Sequence, residues 1–451
     1  MTRSLLSAVF FSACTIAGAA EPTWRAGTAR AVITPEQPMW MAGYGGRDHP
    51  ADGKQADLLI RALALEDAQG RRGVILSSDT LGISQPIYEA VVARMKSQHG
   101  LDRSQIMLHA SHTHCGPVLK QALYDTYPLD DAQRALIEAY SAKLIDIIVT
   151  TLGEALKSLE PVTLSRGQGV ATFAVNRRNN READVPALRE ANQLVGPVDH
   201  SVPVLAVRRR DGSLKAVVFA YACHNTVMDF YKWFGDYAGV AQFALEDRNP
   251  GVTAMFVMGC GADQNPVPRR KLEFAEQYGA QLADAVQAAL KEGTRPLSPR
   301  LQTAIELTPL AFDPLPPREQ LEQTAAEKPS YRQRWAARMV KLQSSGDALP
   351  KSYPYPVQAW RLGEQLWINL GGEVVVDYSL KFKGEFGYDT WVTGYSNDVM
   401  AYIPSHRVLL EGGYEGQSSM MVYGQPAERW APDVEERLTN AVRRVVSIVM
   451  K

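Results

Sequence analysis

The chain has 451 residues, a formal net charge of −1, and is 45% hydrophobic and 22% charged. That length buries a large core and holds either one big domain or two to three ordinary ones. The composition excludes a disordered or fibrous chain, and the balanced charge with no basic run leaves no electrostatic footprint for nucleic acid.

The chain opens with "MTRSLLSAVFFSACTIAGAAEP", a short basic start, an apolar stretch and small residues near position 20. This predicts a signal peptide over residues 1–20, cut near Ala20, and a secreted or periplasmic protein. A lipoprotein site at Cys14 ranks second, because the apolar run continues past Cys14 and Phe11 is a poor start for such a site. No other segment is long and apolar enough for a membrane helix, so stable insertion in a bilayer is not expected. Beyond the leader, Cys115, Cys223 and Cys260 remain. An odd number leaves at least one thiol free, and all three are expected as small buried packing residues beside a site.

Runs rich in Val, Ile and Leu predict buried strands at 72–80, 105–114, 201–209, 215–224, 252–261 and 364–372. Apolar residues at helical spacing predict helices over 85–100, with a Gly stop, and over 132–159 and 271–293; residues 431–451 also read as helical. Strands alternating with helices predict an α/β fold, a single large domain over 21–451 with a mostly buried mixed sheet flanked by helices. Residues 313–356 are polar, charged and bounded by prolines, with two short helical patterns, and are expected as an exposed helical insertion within that domain.

Four predicted strands end in residues capable of chemistry. "QIMLHASHTHCGP" (105–117) carries His112 and His114, "YACHNTVMD" carries His224, "GCGADQNP" (259–266) is Gly-rich, and "LWINLGGE" ends at Glu373. Ligands of open α/β sheets bind at the carboxyl ends of strands, so these residues are expected to converge, with two histidines and a carboxylate forming a metal site open to water. Each element also has an ordinary reading. Alternation along a strand puts both histidines of HxH on one face without any metal. Gly-Gly-Glu is common as a turn into a helix, and Gly, Asp, Asn and Pro all belong in turns. It is the coincidence at four strand ends that favours a site.

Several segments resemble the catalytic domain of the neutral/alkaline non-lysosomal ceramidase family: "GTARAVITP" (27–35), "MAGYG" (41–45), "ASHTHCGP" (110–117), "VNRR" (175–178), "CHNTVMD" (223–229), "GDYAGVAQFALE" (235–246), "GGE" (371–373) and "YSNDVMAYIPSHRVLLEGGYEG" (395–416). The resemblance implies hydrolysis of the ceramide amide to a fatty acid and a sphingoid base with one zinc ion. It implies His112, His224, Glu373 and Tyr402 as zinc ligands, His114 and Tyr414 as catalytic groups beside the metal, and Arg177 as a substrate contact. Tyr402 lies twelve residues before Tyr414, which matches the family's spacing. The implied chemistry suits these residue types. Zinc lowers the pKa of bound water toward about 7, giving hydroxide as nucleophile. A fixed donor such as Tyr414 or His114 meets the oxyanion, and a histidine near neutral pKa protonates the leaving amine.

Two departures bear on substrate. The family's Gly-Asp-x-Ser-Pro-Asn element is replaced here by Gly261-Ala262-Asp263-Gln264-Asn265-Pro266, with Gln264 at the serine position. A side-chain amide is no nucleophile, so Gln264 or Asn265 is expected to donate a hydrogen bond to substrate, or the stretch is simply a turn. Longer members of the family also carry an immunoglobulin-like C-terminal domain. The rival readings are therefore the same zinc scaffold acting on a non-sphingolipid amide or ester, and a non-catalytic binding homologue. Cysteine catalysis by Cys115 is disfavoured, because neighbours on a strand point to opposite faces.

Overall fold

The computed structural model describes residues 23–345 and 348–451. The leader expected over residues 1–20, and Cys14 within it, lie outside the described residues. The main sheet runs in the order Thr253–Met258, Leu214–Tyr221, Ser201–Arg209, Glu160–Val170, Trp24–Val32, Leu59–Glu66, Arg72–Ser78, Ile106–Ala110, with Arg295–Pro296 added beside Glu160–Val170. The outermost pair at each end is parallel and the neighbours between are antiparallel, which makes the sheet mixed. Parallel neighbours need a crossover. Helix Gln85–His99 supplies it at one end, and helix Asp236–Arg248 at the other.

A second sheet, Leu301–Ala311, Ser352–Leu362, Gln365–Leu370 and Trp391–Thr393, packs on the first. The interface is aromatic: Trp24, Trp360, Trp367 and Trp391 lie among Leu63, Leu65, Ile75, Met107 and Val218. Helices Asp131–Lys157 and Leu272–Lys291 cover the outer face of the main sheet, and helices Val376–Phe386 and Val434–Val449 cover that of the second. The fold is therefore the expected α/β arrangement with a buried mixed sheet, extended to four layers. Strand Leu59–Glu66 illustrates the cause. Ile60, Ala62 and Ala64 face the helices while Leu63 and Leu65 face the second sheet, so both faces are apolar and the strand is buried along its whole length.

The predicted strands and helices are present with shifted ends. Helix Gln85–His99 has Pro in its first turn and stops at Gly100, whose N–H bonds back to the Lys96 carbonyl at φ 71°. Helix Asp131–Lys157 starts under the Asp130 carboxylate, which accepts from the Gln133 N–H at 2.7 Å. The strand expected over 105–114 ends at Ala110. His112 and His114 are therefore not strand neighbours on one face. His112 has φ 62°, a left-handed conformation that non-glycine residues reach only when their surroundings enforce it.

Within 313–356, helices Arg318–Ala325 and Tyr331–Ser345 join the adjacent strands Leu301–Ala311 and Ser352–Leu362. They share a small core of Leu321, Trp335, Ala336 and Met339 with Met421. Cys115, Cys223 and Cys260 are buried and unpaired. Among the described residues, no helix is long and apolar enough to cross a membrane.

Candidate metal centre

The loops leaving three strands, each of them a member of a parallel pair, meet at one point. His112 follows Ile106–Ala110, His224 follows Leu214–Tyr221, and Glu373 follows Gln365–Leu370. Glu373 stands on a two-residue strand paired in parallel with Tyr402–Ile403, in the register Glu373 opposite Tyr402. That register brings the phenol of Tyr402 beside the carboxylate. The "GGE" stretch is thus a strand entry, and its second glycine is required: at φ 68°, a Cβ on Gly372 would lie 2.7 Å from the Ala401 carbonyl oxygen. Gly261 has a similar role, since a Cβ there would lie 2.7 Å from the Cys223 nitrogen. Its closeness lets the Gly261 carbonyl reach the His224 ring.

Donor and acceptor accounting identifies what the cluster requires. His112 Nδ1 lies 2.6 Å from the Leu81 carbonyl oxygen, and His224 Nδ1 lies 2.7 Å from that of Gly261. A carbonyl only accepts, so each Nδ1 carries the proton and each Nε2 presents a lone pair. Those two Nε2 atoms lie 3.1 and 3.0 Å from one oxygen, Glu373 Oε2. Tyr402 OH is 3.3 Å from His224 Nε2. Acceptors turned toward each other in a dry interior call for a cation among them. Tetrahedral zinc with bonds of about 2.0–2.1 Å separates neighbouring ligand atoms by about 3.3 Å, close to the separations found here.

Electrostatics agree. Burial, and after it the charge of Arg177, depresses the His224 imidazole to about 4 against the pull of Glu373. Burial and the neighbouring His112 and His224 hold His114 well below its ordinary value. Burial pushes Glu373 up, but His112 and His224 outweigh it and keep the carboxyl well below the usual range. The set at neutral pH is uncharged imidazole from His224 and His114 with a carboxylate, which suits a divalent ion.

His114 is also in the cluster. The ligand-capable nitrogens of His112, His114 and His224 lie within 4.8 Å of one another, and His114 Nε2 is 3.2 Å from His112 Nε2. Its Nδ1 is buried without a hydrogen-bond partner. The Arg47 guanidinium donates to the His114 carbonyl at 3.0 Å, and the Tyr44 ring packs edge-on at 4.7 Å. Beside the cluster opens a cavity of about 590 Å³ lined by Tyr44, His114, Arg177, Asn265, Tyr402 and Tyr414, among others. Arg177 is clamped there. Its Nε donates to Glu415 at 2.7 Å, and its two terminal nitrogens reach Asn265 Oδ1 at 3.3 Å and Tyr402 OH at 3.2 Å. The Tyr414 ring stands 5.1 Å from that of Tyr402 and is 40% exposed, so it meets the cavity far more openly than the buried Tyr402.

Gln264 stands apart from the expected substrate contacts. It is fully buried, its Nε2 donates to the Pro197 carbonyl at 3.2 Å, and the cavity wall has Asn265 instead. The cause is strand geometry. Gln264–Pro266 pairs with Ala174–Asn176, and alternation sends successive side chains to opposite faces. Gln264→Ala is therefore expected to cost about 0.5–1.5 kcal/mol of stability, the worth of one hydrogen bond, at unchanged turnover, since the Pro197 carbonyl keeps its bond from Asn176 Nδ2 at 3.0 Å. Thermal unfolding with kinetics checks this; reduced kcat/KM at wild-type stability would return Gln264 to the substrate contacts.

Sequence reasoning missed Tyr423, whose hydroxyl donates to Glu373 Oε1 at 2.5 Å, and Tyr395, 3.4 Å from Oε2. It also missed Glu415, which ties Arg177 to Arg178. Glu415 lies within the YEG element and was in view; Tyr423 carries no local signal.

Comparison with known proteins agrees with this architecture. Over 236 residues the chain is 28% identical to a neutral ceramidase of Pseudomonas aeruginosa, covering 50% of this chain and 34% of that protein. Over 227 residues it is 24% identical to neutral ceramidase A of Dictyostelium discoideum, covering 48% and 30%. The matched region thus spans about a third of the length of these curated relatives. The crystal structure of neutral ceramidase from Pseudomonas aeruginosa superposes with a TM-score of 0.72 at 19% identity, covering 95% of this chain and 75% of the other, which establishes the shared fold. The family model for the N-terminal part of neutral/alkaline non-lysosomal ceramidases matches residues 24–266, more than half of the sequence, and the chain belongs to that family.

Proposed function

We propose that this chain is an exported zinc-dependent amide hydrolase that cleaves the N-acyl amide of ceramide-like lipids to a fatty acid and a sphingoid base. One ion would be held by His112, His224, Glu373 and Tyr402. The observation that carries this reading is the convergence of two imidazole lone pairs on one carboxylate oxygen beside an open cavity. Zinc bound there would supply Lewis acidity and an activated water.

The remaining work falls to the chain's own side chains. His114, with its free Nδ1 and its place on the cavity wall, is suited to carry a proton to the leaving amine. The Tyr414 hydroxyl, at the cavity wall, donates to the carbonyl oxygen as negative charge develops on it. Arg177, immobilised by Glu415, orients the amide by its remaining donor capacity. Asn265 takes the polar contact that Gln264 does not reach. The domain reading is one catalytic unit over 21–451 with 313–356 inserted, and a leader over 1–20 that directs export.

A second reading has a specific observation in its favour. The cavity wall carries Arg178, Arg181, Arg269 and Glu182, and its aliphatic part is limited to Val175, Val185 and Val267. Such a wall suits a smaller or more polar amide or ester than a two-tailed lipid.

The deciding experiment is fatty-acid release from a labelled ceramide by the purified chain, with and without a chelator. Chelator-sensitive release is expected. Release that ignores the chelator would end the zinc reading. No release by zinc-loaded protein would transfer the proposal to the second reading, tested next with a panel of amides and esters.

A further inference from the structure

Glu373 has two oxygens, and only Oε2 faces both histidines, at 3.1 and 3.0 Å. Oε1 accepts the 2.5 Å hydrogen bond from Tyr423 OH. The terminal torsion of a glutamate is broad, so an untethered carboxylate turns freely between presenting one oxygen and presenting both. The phenol removes that freedom. The Tyr423 ring also packs 6.3 Å from that of Tyr402, but its hydroxyl bonds to Glu373 alone in the cluster, so the effect of that hydroxyl passes through Glu373.

Tyr423 is itself held by the two helices inserted between strands of the second sheet. The backbone carbonyls on either side of it are all engaged. Trp335 Nε1 donates to the Gln425 carbonyl at 2.7 Å, and Arg338 donates to that of Gly424 at 2.6 Å. The Val422 carbonyl accepts from Thr126 Oγ1 at 2.9 Å. Residues 125 and 126 are tied to the same helix: Arg334 donates to the carbonyls of Asp125 and Thr126 at 2.8 and 2.7 Å, and Arg338 forks onto the Asp125 carboxylate at 2.8 and 2.6 Å. Met421 completes the small core of the helix pair. The segment carrying Tyr423 is thus bracketed by one face of helix Tyr331–Ser345.

We infer that Tyr423 is a positioning residue of the metal centre and that helix Tyr331–Ser345 is its brace: the Tyr423 hydroxyl selects which oxygen of Glu373 faces the ion, and Arg338 and Trp335 fix where Tyr423 stands. This gives the polar insertion a task at the site, and it rests on the metal reading proposed above.

The test is zinc affinity of the full purified chain, by competition with a chelator of known affinity, together with the visible spectrum of the cobalt-substituted protein. Tyr423→Phe removes one oxygen. It is expected to weaken zinc by about 10–100-fold, as outer-sphere partners of ligands do, and to shift the cobalt bands. Arg338→Met is expected to weaken zinc in the same direction. Because Arg338 acts through Tyr423, the double variant should bind no more weakly than Tyr423→Phe alone. Where Arg338→Met folds poorly, Arg338→Lys gives the same comparison. Zinc affinity of Tyr423→Phe within about twofold of the unaltered chain, with unchanged cobalt bands, would overturn the positioning role. Losses that add would overturn the brace. An unaltered chain that takes up neither zinc nor cobalt would remove the metal reading and this inference together, an outcome distinct from the other two.

Discussion

His224→Ala is expected to lose zinc and hydrolysis together. The substitution deletes an imidazole whose Nε2 lies 3.0 Å from Glu373 Oε2 and 3.3 Å from Tyr402 OH, and whose Nδ1 satisfies the Gly261 carbonyl. One change therefore removes a proposed ligand and strips the carboxylate of a neighbour, while the Gly261 carbonyl keeps its bond from the Gln264 N–H at 3.0 Å. If the ion contributes several kcal/mol to the transition state, its loss lowers turnover on the order of 10³-fold or more. Metal analysis and kinetics on the same preparation check both halves. His112→Ala is expected to behave alike, since its ring is fixed in the same way by the Leu81 carbonyl. Full activity from a metal-free variant of either would sink the assignment.

Tyr414→Phe is expected to leave zinc in place and lower kcat by about 10²–10³-fold, the usual loss for one donor to a developing oxyanion. The two tyrosines differ in a way that makes the experiment decisive. Tyr402 is buried against His224 and Arg177, whereas Tyr414 stands half-exposed at the cavity with its ring against Tyr402. A lost hydroxyl at 414 should act on turnover, and one at 402 on metal content. If Tyr414→Phe instead empties the site, the two roles are interchanged. Burial and the nearby Glu373 carboxylate raise the Tyr414 phenol above its ordinary value, so it remains a donor throughout the neutral range.

Much of this architecture was legible in the chain. Continuous apolar runs such as those at 72–80 and 252–261 marked strands buried on both faces, and the Gly100 stop marked a helix end. Other elements left weaker traces. Helix Asp236–Arg248 is packed on most sides, with Tyr237, Ala238, Gly239, Ala241 and Gln242 all buried, so no apolar stripe announces it. Strand Leu301–Ala311 is buried only at scattered positions and is interrupted by polar residues, and the second sheet to which it belongs was not foreseen. Two apolar sheet faces read alike along the sequence whether they meet helices or each other.

The same division runs through the site. The sequence by itself determined the chemical inventory, histidines and a glutamate following buried strands, and the family whose motifs carry them in order. Only the tertiary structure decided which atoms meet. The His112 turn at φ 62°, the register of Glu373 against Tyr402, the choice of Asn265 over Gln264 and the hold of Tyr423 on Glu373 from 50 residues away all depend on contacts between distant segments. Local periodicity reports which face of an element is apolar. It carries no record of the partner that each backbone carbonyl or carboxylate oxygen meets once the layers pack.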